Sequence, residues 1–131
     1  MMSLESSSLL VEDIVETRIA ESNIFKVGPL VQIGIINPLK SDGSVYCSNN
    51  GYAQTRFIFK KIIRALKRTG AKLDDITDVK MYVVDMSQYS EYIKAFSEFF
   101  KKIKPKFSLE KTNKVKSNGE LIEIEIDAFI H

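Results

Sequence analysis

The stretch from Ala53 to Met86 constrains this chain more than any other. Ala53-Gln54-Thr55-Arg56 opens an amphipathic helix, Gly70-Ala71 closes it, Leu73-Asp74-Asp75-Ile76 turns, and a strand follows that ends at Asp85-Met86. The helix is predicted from about Gly51 to Thr69. Tyr52, Phe59, Ile62, Ile63 and Leu66 fall at helical spacing on one side, and Lys60, Lys61, Arg64, Lys67 and Arg68 are set to face water. Ser48, Asn49 or Asn50 can cap its start, and Gly70 supplies the left-handed residue that stops it. Beyond the turn, Val79, Met81 and Val83 alternate with Lys80, Tyr82 and Val84, the period of a strand.

The flanking segments extend this helix-turn-strand unit in both directions. Between Ile14 and Ile36 the pattern predicts two or three short strands, broken near Glu21-Ser22-Asn23 and at Gly28-Pro29, with Leu30 to Ile36 apolar enough for a central strand. Lys40 to Asn50 reads as a polar, turn-rich connection. After Met86, Ser87 is predicted to cap a second helix whose stripe is Tyr89, Tyr92, Ile93, Phe96, Phe99, Phe100 and Ile103, with Pro105 as terminator. An aromatic stripe of this kind is core by default. The tail, from Phe107-Ser108-Leu109 through the turn Ser117-Asn118-Gly119 to Leu121–Ile130, reads as an antiparallel hairpin. In its last strand Ile122, Ile124, Ile126, Ala128 and Ile130 share one face, and Glu123, Glu125 and Asp127 share the other.

Two helices can cover only one face of the mixed sheet this order implies. The second face, with Leu121, Phe129 and ionisable groups at alternate positions, is expected to find cover in another subunit. With 131 residues, 44% of them hydrophobic and 27% charged, the chain makes one globular domain. That domain is read as 14–131, preceded by a flexible lead over 1–13 that includes Ser6-Ser7-Ser8. A net charge of +2 gives no global reason to expect nucleic acid or an anionic membrane. Fifteen of the nineteen cations are lysines. No apolar run reaches the roughly 18 residues of a membrane span. The acids Glu5, Glu12, Asp13 and Glu16 stand where a targeting signal would carry cations, so the cytoplasm is the expected location. Cys47 has no disulfide partner in the chain, and with one cysteine and one histidine neither a metal site nor a cofactor site is expected.

Order and spacing of several segments carry a resemblance. Ala53-Gln54-Thr55-Arg56, Gly70-Ala71-Lys72-Leu73-Asp74-Asp75-Ile76, Asp85-Met86, Phe96-Ser97-Glu98-Phe99-Phe100, Lys104-Pro105 and Leu121-Ile122-Glu123-Ile124-Glu125 together resemble the Rid proteins. These are also called the YjgF or liver perchloric-acid-soluble protein family. The resemblance covers about Ile14 to Ile130. It implies an α/β (α+β) chorismate-mutase-like fold and a homotrimer with clefts at the subunit boundaries. For the best-studied branch it also implies hydrolysis of 2-imino acids to 2-oxo acids with release of ammonia.

That chemistry needs a bidentate cation for the substrate carboxylate, a role suited to arginine, and an acid or base beside the attacking water. Here the residues depart from the family's pattern. Aligned on Pro105-Lys106-Phe107, the family's arginine falls on Phe107 and its pocket cysteine or threonine on Leu109. Its Ser-Gly pair falls on Gly34-Ile35, its asparagine on Ile93, and its early tyrosine near Glu21. The glutamate survives as Glu123, the one candidate catalytic residue. A cleft lined by Phe107, Leu109, Ile35 and Ile93 would be largely apolar and would desolvate a carboxylate without a paired cation. A one-residue shift would instead put Lys106 in the arginine's place, but it would also turn the strand over.

Each candidate also has a structural reading. Glu123 could be one of three acids on a solvated or interfacial face. Lys111, Lys114 and Lys116 around a hairpin turn read as solvated charge, because they lack the interleaved aromatics of RNA-reading strands. Cys47 has no neighbouring cation to make it a thiolate, and His131, the only histidine, stands last in the chain. Two function classes follow. One is a trimer with an altered cleft that binds a small molecule without 2-imino-acid deaminase activity. The other is an enzyme, either an imine deaminase using Glu123 with a substitute cation or an endoribonuclease of the kind attached to the family name.

Overall fold

Strand alternation and two helical stripes sort this chain into two layers. A computed structural model describes residues 24–114 and 118–131. Its elements are β1 (Ile24–Val27), β2 (Leu30–Ile36), α1 (Gly51–Thr69), β3 (Ile76–Val83), α2 (Tyr89–Phe99), β4 (Lys106–Lys111) and β5 (Ile122–Phe129). The strands form one sheet in the order β1-β2-β5-β3-β4, with β3 and β4 parallel and every other neighbouring pair antiparallel. The expected strands before Ile24, the lead over 1–13 and the turn residue Ser117 lie outside the described residues.

One face of the sheet carries Ile33, Ile36, Val79, Met81, Val83, Ile122, Ile124 and Ile126, all buried against Ile58, Phe59, Ile62 and Leu66 of α1 and against Tyr92 and Phe96 of α2. The other face carries Gln32, Asp78, Lys80, Tyr82, Glu123, Glu125 and Asp127 at the alternate positions. Each helix earns its length locally. The Asn50 carboxamide accepts the Ala53 N–H at 2.9 Å, and Gly70, at φ 87°, closes α1 by donating its N–H to the last carbonyls. The two helices meet through Phe59, whose ring centroid lies 5.3–6.2 Å from those of Phe96, Phe99 and Phe100. At Gly51 a Cβ would come within 2.6 Å of the Tyr92 ring, so glycine there sets how closely α1 approaches α2.

Three expectations are corrected. The tail is not a hairpin. β5 inserts between β2 and β3, while β4 lies outside β3 and parallel to it. A parallel neighbour requires a crossover, which α2 supplies, and the strictly alternating isoleucines of β5 suit a central strand. Ser87 does not cap α2. The Asp85 carboxylate accepts both the Ser87 N–H (2.9 Å) and the Ser87 hydroxyl (2.6 Å), fixing a 3₁₀ turn over Met86–Gln88 from which α2 departs. α2 then ends at Phe99, short of the exposed Ile103, and Tyr89 at its first position is exposed too. Lys61 does not face water. It is buried, and its ammonium donates to the Asn37 carbonyl (3.0 Å) and the Leu39 carbonyl (2.9 Å), tying the loop after β2 to α1.

Candidate functional site

A bulge in β2 prepares the second face. Ile33 pairs with Ile126 and Ile36 with Ile124, so Gly34 and Ile35 together oppose the single residue Glu125. The extra residue lets Ile33 and Ile36 both reach the core although they stand three apart, an odd spacing that a flat strand would split between faces. It also leaves Ile35 beside the open face.

Across from the bulge, register assembles a polar row. Tyr82 of β3 is opposite Glu123 of β5 on one side and Glu110 of β4 on the other. The Tyr82 hydroxyl donates to Glu125 Oε1 at 2.6 Å, the diagonal contact of an antiparallel pair. That hydrogen bond, followed by burial and the nearby carboxylates, pushes the Tyr82 hydroxyl up to about 12. Tyr82 therefore stays a neutral donor at physiological pH. Lys114 Nζ lies 3.7 Å from Glu123 Oε1; the glutamate side chain is 7% exposed and the lysine 69%. These side chains, with Ile35, Lys111 and Thr112, line a cavity of about 450 Å³. Its volume falls in the range of small-molecule sites.

The structure gathers only some of the residues singled out from the sequence. Gly34, Ile35 and Glu123 lie together at this pocket and its bulge. Phe107 and Leu109 do not join them. Phe107 pairs with Val79 and Leu109 with Met81, both core residues, so these side chains take the helix face. The Phe107 ring lies tilted against Phe96 with centroids 4.8 Å apart, and Leu109 packs against the core. Ile93 is in α2, also on the helix side, and Glu21 is outside the described residues. Within one subunit, strand parity thus puts Phe107 and Leu109 on the opposite face of the sheet from Glu123, so a cleft that joins them would draw on two copies of the chain. Lys106, opposite Asp78, does share the face of Glu123. It is four residues of β3 from the Tyr82 row, about 13 Å at roughly 3.3 Å per residue, so it does not reach the glutamate.

The cation beside Glu123 is Lys114, whose place near a hairpin-like turn reads in the sequence as solvated charge. Tyr82 and Glu110 were missed altogether. For Glu110 and Tyr82 the signal was available in parity once β3 and β4 were known to be parallel neighbours, but the hairpin reading concealed it. Three of the chain's arginines, Arg56, Arg64 and Arg68, are on α1, across the sheet from Glu123. Arg56 is engaged there, at 2.8 Å from Glu98, which also accepts the Tyr52 hydroxyl at 2.7 Å. Among the described residues no group of three or more His, Cys, Asp or Glu side chains is placed to hold a metal ion. Cys47 is exposed and unbridged.

A five-stranded sheet with two helices on one face and an ionisable pocket on the other defines a small α+β scaffold. The chain belongs to the endoribonuclease L-PSP family, whose model matches residues 22–130. A RutC family protein of Pyrococcus abyssi is 25% identical over 84 residues, which span 64% of this chain and 66% of that relative, just under two thirds of its length. The crystal structure of Rv2704 from Mycobacterium tuberculosis, a member of the YjgF/YER057c/UK114 family, matches with a TM-score of 0.71 and 30% identity, covering 82% of this chain and 84% of the other. The Rid protein YyfA of Yersinia pestis, described as of unknown function, shares the fold with a TM-score of 0.75 at 23% identity, over 82% and 85% of the two chains. Among the described residues no helix is long and apolar enough to cross a membrane.

Proposed function

We propose that this chain is a Rid-type homotrimer of the cytoplasm that binds a small molecule at the Glu123 pocket, without 2-imino-acid deaminase activity. One observation carries this reading. The position where the family motif places a carboxylate-binding arginine is Phe107, whose ring is committed to Phe96 on the helix face. Among the described residues, the pocket of Glu123 then offers Glu110, Glu125, Lys111 and Lys114, and no guanidinium. A substrate carboxylate there would meet like charge and lack the planar fork that fixes it.

Imine hydrolysis is tested by adding the purified protein to an amino-acid oxidase reaction and following disappearance of the imine. The expected result is no acceleration. Acceleration abolished by Glu123→Gln would establish the deaminase reading instead. That reading has one observation in its favour, the lysine at 3.7 Å from Glu123, so Lys114 and not Lys106 is the substitute cation to replace in that case. The endoribonuclease reading is tested by prolonged incubation with RNA, which is expected to stay intact.

A further inference from the structure

We infer that the Glu123 pocket takes a small aliphatic primary amine, bound as its ammonium ion; this rests on the reading of that pocket as a binding site. The chain itself displays the interaction. Lys114 brings a primary ammonium on an alkyl stem to within 3.7 Å of Glu123 Oε1. The two partners are unequally held, since Glu123 is nearly buried in β5 whereas the Lys114 side chain is 69% exposed beyond the end of β4. A lysine this exposed, 3.7 Å from the carboxylate, gains little from the pairing, so Lys114 is easily displaced. An incoming alkylammonium would exchange one ammonium for another at the same carboxylate and leave the charge of the buried site unchanged. No unpaired charge has to be buried in the exchange.

The remaining walls favour the same ligand. Glu110 and Glu125 add negative charge to the cavity, the Tyr82 hydroxyl is already donating to Glu125 at 2.6 Å, and Ile35 supplies an apolar wall for an alkyl chain. A carboxylate in this position would face three glutamates against two lysines, Lys111 and Lys114, in a lining that is net negative. An ammonium would be attracted by all three glutamates and can donate three hydrogen bonds.

The experiment titrates n-butylamine hydrochloride and sodium butanoate into the isotopically labelled full chain at neutral pH and constant ionic strength, with binding read from amide shifts of Ile35, Tyr82 and Glu123. Butylamine is expected to shift these residues saturably and butanoate to leave them in place. Glu123→Gln should weaken amine binding about ten- to a hundredfold, as expected for a charge-assisted hydrogen bond, while the exposed Glu91→Gln leaves it unchanged. Lys114→Ala removes one competing ammonium and should tighten amine binding, by up to about fivefold. Butanoate binding at these residues in preference to butylamine, or weaker amine binding in Lys114→Ala, would overturn the proposal while leaving the pocket a binding site. If neither probe shifts these residues, the binding-site reading fails with it.

Discussion

Gln54 holds the site from the far side of the sheet. Its side chain is fully buried. Its amide nitrogen donates to the carbonyls of Cys47 (3.0 Å) and Gly119 (2.7 Å), and its oxygen accepts the N–H of Leu121 (2.9 Å). One residue thereby fastens two loops to α1 and fixes Leu121, the residue before β5 begins and two before Glu123. Gln54→Met keeps the length and removes all three hydrogen bonds. A loss of about 2–4 kcal/mol is expected in urea denaturation, because buried backbone groups would be left unpaired. Asp75 makes a second clip. Its carboxylate lies 3.0 Å from His131 Nδ1 and accepts the Lys72 N–H at 3.0 Å. The His131 hydrogen bond, and after it the Lys72 N–H, outweigh burial and hold its carboxyl below the usual aspartate range. A group with a depressed folded-state value adds stability above its unfolded value, and that addition disappears as pH falls through the folded one. Asp75→Asn should therefore unfold at lower urea than the unmodified chain at pH 7, and the gap should close as pH falls below the ordinary aspartate range.

At the scale of elements, β4 decides how the family motif is to be understood. Its parallel pairing with β3 puts Phe107 beside Val79 and sends Lys106, Ser108 and Glu110 to the opposite face. Restoring the family's arginine with Phe107→Arg should therefore create no imine hydrolysis in the oxidase-coupled assay. It should instead cost about 1–3 kcal/mol in urea denaturation through the lost ring contact with Phe96; a gain of activity would show that the motif arginine's position reaches Glu123 after all. This element also marks the limit of what could be read from the sequence. α1, its Asn50 cap and Gly70 stop, β3 and the alternation of β5 were all legible, because each is written in local periods and caps. The partner of a strand is not local. β4 and β5 are adjacent in the chain and joined by a glycine turn, which is the pattern of a hairpin, yet α2 had already carried β4 to the far edge. Lys61 shows the same limit at one position, since its burial depends on two carbonyls in a loop the helical period does not include.

At the scale of the molecule, the open sheet face has two unlike ends. The end near Glu123 is ionisable, whereas Phe25, Val27, Leu30 and Phe129 leave 42–56% of their surface exposed around a groove of about 500 Å³ at the other. These four lie on adjacent strands: Phe25 is opposite Gln32, Val27 opposite Leu30, and Leu30 opposite Phe129, so their exposure forms one patch. Apolar surface gathered in this way is uncommon on a monomer and calls for a covering partner. A second copy of the chain satisfies it without new chemistry, and closed symmetry allows three copies to cover one another's patches. Sedimentation at micromolar concentration should accordingly give a trimer. Leu30→Glu places a charge at the most exposed of the four and carries little cost to the subunit, since the side chain is half in water already. It should move the distribution toward monomer while the far-ultraviolet circular dichroism of the chain is retained. A trimer that persists unchanged in Leu30→Glu would place the contact elsewhere on the surface. A monomer in the unmodified chain would leave the Glu123 pocket to be completed by one subunit alone.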